Sequence, residues 1–237
     1  MTAAALIRGA AGAATVDRWR NAIDAQPAWR ERRPDADFNP QASSLRLRAV
    51  AALDPTAIAQ ALLGGAVGAW CRSRLGEALA CAVDQCWVRR QYAPARRPAG
   101  HATHAWHQDG ALGYDFLRPG MPPSDALLEM VTCWVALTPC GRDAPGLELE
   151  RDGGDRLLTL AALGETAARL AEDAGAAWRP ELGPGDALLF DGGVVHRTDA
   201  RPGMSRDRTS IELRFFAAAD RPARLGGERL SSCIEIP

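Results

Sequence analysis

The sequence predicts a mainly β chain with flanking α-helices, its strands closed into a barrel or jelly roll. Three observations lead there. From residue 80 onward, short apolar runs alternate with turn residues, over 80–92, 130–137, 147–150, 187–190, 194–198 and 209–218. Helical spacing of apolar residues is confined to the first third of the chain and to one later stretch, 157–173. Apolar residues make up 47% of the 237, enough for a sizeable core, and barrels of this length are often one domain. The expected organisation is therefore a single domain over 1–237. It has a strand-and-helix part at 1–79, a jelly-roll core at about 80–218 and a tail at 219–237 packed on the body.

Taken in order, residues 3–8 predict a short strand. Residues 15–25 predict a helix, with Val16, Trp19 and Ile23 at helical spacing. Residues 26–44 carry three prolines among charged residues and predict a surface loop. Leu45, Leu47 and Ala49 alternate with Arg46 and Arg48, which predicts a strand with one wet face. Asp54-Pro55 predicts a helix start, with Asp as N-cap and Pro at the first position. Gly64-Gly65 is the expected break. Residues 93–100 predict a loop. Residues 110–125 hold three prolines and three glycines and predict a long irregular segment of the kind that often covers a binding site. Its Tyr114, Phe116 and Arg118 are the expected substrate contacts.

Net charge is −1, so nothing points to nucleic acid or an anionic membrane as partner. No run approaches the ~20 apolar residues of a membrane span. Every basic residue is arginine, which excludes chemistry resting on a Schiff-base or P-loop lysine. Six cysteines fit no Cys-x-x-Cys pattern. Without a secretory signal they read as reduced, mostly buried thiols of a cytoplasmic protein.

The chemistry is concentrated in Trp106-His107-Gln108-Asp109 and in His196, which follows an apolar run. Two histidines and one carboxylate make the facial set that holds Fe(II) and leaves positions open for a co-substrate and oxygen. If 105–109 is extended, His107 and Asp109 point to one side and reach one ion together. His101 and His104 crowd the same stretch, so a zinc site on His104 and His107 competes. After His196 come Pro202-Gly203 and an apparent return strand carrying Arg206, Arg208 and Arg214. A buried arginine there would suit a dicarboxylate, because its fork matches a carboxylate. A hairpin folded about Pro202-Gly203 sets 208 opposite 196, with Arg206 one slip away. In that register Arg214 lies ~20 Å off along the strand and is set aside.

With these residues on the page, the chain resembles the phytanoyl-CoA dioxygenase family of Fe(II)/2-oxoglutarate-dependent oxygenases. The resemblance rests on 106–109, on Thr132-Cys133-Trp134-Val135-Ala136-Leu137, on Gly185-Asp186 before Phe190, and on His196 with Arg208 and Phe215. It implies a double-stranded β-helix core. It also implies a dioxygenase that consumes 2-oxoglutarate and O2, releases succinate, and hydroxylates or otherwise oxidises a C–H bond of a small organic substrate. His107, Asp109 and His196 would be the iron ligands. Arg208, Thr198, Trp134 and Gln108 would contact the co-substrate. Family members serve in lipid degradation and in natural-product biosynthesis. The alternatives are a cupin-like metal-dependent hydrolase or isomerase, and a non-catalytic binding protein on the same fold.

Overall fold

The structure, a computed structural model, describes residues 3–111, 129–151, 154, 156–173, 175–219 and 233–236. Two antiparallel sheets face each other, the arrangement expected of a jelly roll or double-stranded β-helix. The larger sheet runs β1 (Ala4–Ile7), β9 (Ala187–Asp191), β6 (Val131–Ala136), β11 (Arg208–Ala217), β5 (Trp87–Gln91), β3 (Ser44–Arg46) and β2 (Phe38–Asn39). Beyond β5, the end of β11 pairs with β4 (Leu79–Ala82), and β4 pairs with β12 (Cys233–Ile236). The smaller sheet is β10 (His196–Asp199), β7 (Gly146–Glu150) and β8 (Ala177–Trp178).

Alternation along the strands divides the molecule into layers. On β6 and β11, Cys133, Val135, Ile211, Leu213 and Phe215 face outward into an apolar core shared with the helices. Helix α1 (Ala13–Asp24) contributes Val16, Trp19 and Ile23 to that core. Asp54 caps α3 (Pro55–Leu63) by accepting from Thr56 N at 2.9 Å, and Gly64-Gly65 separates α3 from α4 (Ala66–Leu75). Their Ile58, Leu62, Val67 and Cys71 complete the layer. The opposite parity faces the small sheet. Trp134, Leu188 and Phe190 pack there against Leu147 and Leu149 of β7. The last described helix, α5 (Leu160–Glu172), is capped by Thr159 and buries only Leu170. No described helix is long and apolar enough to cross a membrane.

Four expectations need correction. Residues 26–44 are not only a surface loop. Trp29 and Phe38 are buried edge to face, on a short helix α2 (Ala28–Glu31) and on β2. The predicted strand through Leu47 and Ala49 turns into a 3-10 helix after Arg46, with Leu47 N bonded to Cys86 O instead of to a regular ladder. Residues 105–109 form no strand; one bridge, His107 with His196, leads into a 3-10 turn at Asp109–Ala111. The largest difference is at Pro202-Gly203. The turn forms, with Gly203 at φ +93° and Met204 N bonded to Arg201 O, but β10 and β11 do not pair. Strand β10 pairs with β7 and β11 with β5 and β6, so the turn carries the chain from one sheet to the other.

Candidate active site

The cavity lies between the sheets, and backbone pairing builds its centre. His107 and His196 exchange both N–H···O bonds, at 3.0 and 2.9 Å, as a directly opposed antiparallel pair. Their rings stand 4.2 Å apart between centroids. Each ring is oriented by the same device. His107 Nδ1 lies 2.7 Å from Ala105 O and His196 Nδ1 lies 2.9 Å from Val194 O. A carbonyl only accepts, so each Nδ1 donates and each Nε2 keeps its lone pair for a cation. The 3-10 turn then brings Asp109 over, tied by Gly110 N to Gly192 O at 2.7 Å. Asp109 Oδ1 sits 3.7 Å from His107 Nε2 and 3.8 Å from His196 Nε2.

One ion with bonds of ~2.1 Å can bridge donors up to ~4.2 Å apart, so those separations are within its reach. Among the described residues, His107, Asp109 and His196 form the metal-competent group, with all three ligand atoms within 4.8 Å of one another. The charge states suit the task. Burial pushes the Asp109 carboxyl up, but Arg214, His196, His107 and the Thr132 hydroxyl together hold it below the ordinary carboxylate range. Burial, with His107 beside it, brings His196 down to about 4, so it is a neutral ligand at physiological pH.

Arg208 opens β11 and is buried in the cavity wall. Its Nη1 donates to Gly146 O at 2.9 Å and its guanidinium lies 4.7 Å from the Trp134 ring centroid. It has no carboxylate partner within 4 Å among the described residues, and its Nε has no hydrogen-bond acceptor. The Trp134 Nε1 is likewise buried and without an acceptor. Burial lowers Arg208 to about 10, which leaves it charged at neutral pH. A buried guanidinium with no anion of its own, in the same cavity as the ligand triad, is a site for a carboxylate brought from outside. Thr198 lies in the same wall, with its backbone N bonded to His104 O at 3.1 Å.

The other sequence-derived residues separate. Gln108, expected at the co-substrate, is spent elsewhere. Its Nε2 donates to Arg156 O at 2.8 Å and Gly193 O at 2.6 Å, and its Oε1 accepts from Leu158 N at 2.8 Å. It braces two loops behind the metal turn and does not line the cavity. Arg206 lines a separate cleft of about 320 Å³ with Arg8, Arg142 and Glu181. His104 does line the cavity, but its Nε2 accepts from Arg89 Nη1 at 2.9 Å, since a guanidinium cannot accept. That occupied lone pair removes the competing His104–His107 zinc arrangement. Tyr114, Phe116 and Arg118, and the segment expected to cover the substrate, lie outside the described residues.

Arg214 corrects the sequence reading outright. Its Nη2 is 3.1 Å from Asp109 Oδ2 and 3.3 Å from Glu212 Oε2. Strand β11 runs along the whole cavity floor, with Arg208 at one end and Arg214 beside the carboxylate ligand at the other. Six residues at ~3.3 Å each separate the two along the strand, and it is Arg214, not Arg208, that stands at the ligand carboxylate. Thr132, Glu212 and Arg89 also belong to the wall and were missed. Thr132 and Glu212 carried a signal, as hydroxyl or charged residues at even positions of strands whose neighbouring odd positions are apolar; Arg89, beside the core residue Val88 on β5, carried the same alternation in the opposite parity.

Comparison with known proteins agrees with this geometry. The family model for phytanoyl-CoA dioxygenase matches residues 4–207. Sequence comparison with curated proteins finds no match. Among solved structures, EctD from S. alaskensis with bound Fe is 19% identical; 94% of this chain aligns with 79% of that one at a TM-score of 0.66. HygX from Streptomyces hygroscopicus, with nickel and 2-oxoglutarate bound, is 16% identical over 92% of this chain and 83% of its own, at a TM-score of 0.59. The alpha ketoglutarate dependent epimerase SnoN of nogalamycin biosynthesis, solved with Fe3+ and alpha ketoglutarate, is 14% identical over 92% and 80%, at 0.58. These likenesses are of fold.

Proposed function

The chain belongs to the phytanoyl-CoA dioxygenase family and is an Fe(II)- and 2-oxoglutarate-dependent oxygenase, and we propose that His107, Asp109 and His196 hold its iron while Arg208 anchors its 2-oxoglutarate. The observation that carries the proposal is the matched orientation of the two imidazoles. Both direct Nε2 at the same carboxylate oxygen because both bind a carbonyl two residues back through Nδ1. Bound iron and 2-oxoglutarate supply the oxidising chemistry, consuming O2, releasing succinate and CO2, and oxidising a substrate C–H bond.

The chain's own residues position and insulate. Arg208 receives the distal carboxylate of the co-substrate by charge-assisted hydrogen bonds, in a wall where burial strengthens them. Thr198, in the wall of the same cavity, offers a hydroxyl donor. The Trp134 indole closes that end, and its unpartnered Nε1–H is available to an acceptor. Phe190, 4.5 Å from the His196 ring, keeps water from the metal side. Residues 1–237 act as one oxygenase unit: β1 from the N-terminal part and β12 from the tail both enter the large sheet.

We place the substrate among small organic molecules of natural-product tailoring, the setting named for the epimerase SnoN. Cys71, Cys81, Cys86, Cys133 and Cys140 are buried and form no disulfide, which supports a reducing, cytoplasmic setting. The reading is tested with His107→Ala and His196→Ala. Each is expected to lose Fe(II) binding and, with it, all Fe(II)-dependent conversion of 2-oxoglutarate to succinate, measured after anaerobic reconstitution and admission of oxygen. Wild-type turnover in either variant rejects the ligand assignment.

A further inference from the structure

We propose that Thr132 and Arg214 are positioning residues that engage the outer oxygen of Asp109 and leave this carboxylate a single oxygen to offer the metal. The inference rests on the reading of Asp109 as a ligand. Its geometry is independent of that reading. Thr132 on β6 and Arg214 on β11 are direct partners across the sheet, both on the cavity-facing parity. Their side chains converge on Asp109 Oδ2, with Thr132 Oγ1 donating at 2.5 Å and Arg214 Nη2 lying at 3.1 Å. Thr132 takes one of the roughly two acceptor directions of Oδ2, and the Arg214 guanidinium holds the same oxygen as its ion-pair partner. Oδ1 is the oxygen left facing the two imidazoles.

Arg214 is itself held. Glu212 Oε2 accepts from its Nη2 at 3.3 Å, while Glu212 Oε1 accepts from Arg89 Nε at 2.5 Å. Arg89, Glu212, Arg214 and Asp109 thus form a row of alternating sign from β5 to the metal turn, buried except at the partly exposed Arg89. The Nε and Nη1 of Arg214 find no acceptor among the described residues. The contacts this guanidinium does make, a hydrogen bond to Glu212 and an ion pair with Asp109, both go to the row. That is costly for a residue serving only packing, since unsatisfied buried donors each carry a desolvation penalty.

The row has a functional consequence. A carboxylate free to swing would take two positions on its ion. One fixed through Oδ2 takes one, and the set keeps the open positions that a facial triad must provide. Arg214 also shares the negative charge of Asp109, so the ion keeps more of its own charge.

The test uses the metal-free protein titrated anaerobically with Co(II) and followed by ligand-field absorption. Thr132→Val, nearly isosteric, is expected to weaken Co(II) binding about tenfold, the usual scale for an outer partner of a ligand, and to shift the bands as the carboxylate is released. Arg214→Gln is expected to shift the bands in the same direction, and Arg214→Lys to shift them back toward wild type. If Thr132→Val and every Arg214 variant that folds keep wild-type affinity and bands while melting earlier, the residues only stabilise the fold and the proposal fails. Asp109→Ala separates the two levels: wild-type Co(II) binding in that variant overturns the ligand reading instead.

Discussion

At the scale of single residues, the site is a matter of which polar groups lack partners. Among the described residues Arg208 has one backbone acceptor and no counter-ion, whereas Arg214 and Arg89 are paired to carboxylates. Arg208→Gln should therefore raise the 2-oxoglutarate KM by roughly a hundredfold, the few kcal/mol of a lost charge-assisted pair. Arg206→Gln should leave it unchanged, because Arg206 lines another cleft. Steady-state kinetics on both variants checks this. His104 gives a second prediction. Burial, then the neighbouring Arg89, takes it from 6.5 down to about 3. Between those values the unfolded chain binds a proton that the folded one refuses, so stability falls as pH drops from 6.5 toward 3. Glu212 is driven from 4.5 to about 2; burial opposes this, but Arg89 and Arg214 overcome it, so its contribution is lost at lower pH, between 4.5 and 2. In the metal-free protein, His104→Gln should flatten the decline of Tm between pH 6.5 and 4.5. An unaltered slope would mean that His104 is protonated in the fold. The ligand triad was legible because the chain has four histidines and one His-x-Asp. Arg214 was not, because its neighbour Asp109 is distant in sequence and reaches it only through sheet pairing.

At the scale of elements, turn chemistry was read correctly and its consequence was not. Pro202-Gly203 makes the anticipated turn, yet the same turn serves a hairpin or a step between sheets, and only packing chooses. The strand at 105–109 failed for a related reason. One bridged pair at His107 suffices to aim the ligands, so no ladder was needed. A different constraint acts at the start of β7. Gly146 presents the carbonyl that accepts from Arg208, and a Cβ there would lie 2.8 Å from the Cα of Gly141. Gly141 cannot readily retreat: its φ is +91° and its own Cβ position is 2.4 Å from Pro180 O. Gly146→Ala should therefore cost about 1–3 kcal/mol through overpacking. It should also weaken 2-oxoglutarate binding, because the Arg208 acceptor moves. Calorimetric titration of the metal-loaded variant with 2-oxoglutarate, beside its Tm, separates these effects. Unchanged affinity would show that Arg208 does not need that carbonyl.

At the scale of the whole molecule, the large sheet is assembled from both ends of the chain. Strand β12 covers the outer edge of β4, which in turn pairs with the end of β11. Removing residues 233–237 should expose that edge, lower Tm and promote self-association, since uncovered edges template further pairing. Size-exclusion chromatography and thermal melts of the truncated chain would show it; a monomer of unchanged Tm would make β12 dispensable. The two-sheet architecture was legible because alternation and turn spacing survive in the sequence. The pairing of β12 was not, because no periodic signal marks it. Strand β11 has one more consequence. Its even positions bear Arg208, Glu212 and Arg214, and its odd positions bear Ile211, Leu213 and Phe215. A slip of one residue would exchange the two sets, driving three charges against the helices. Such burial costs more than the ~5–15 kcal/mol by which a domain is stable. Refolding from denaturant should thus yield either molecules with a complete pocket or molecules that are not folded. Specific activity per soluble molecule should then stay constant however poor the recovery.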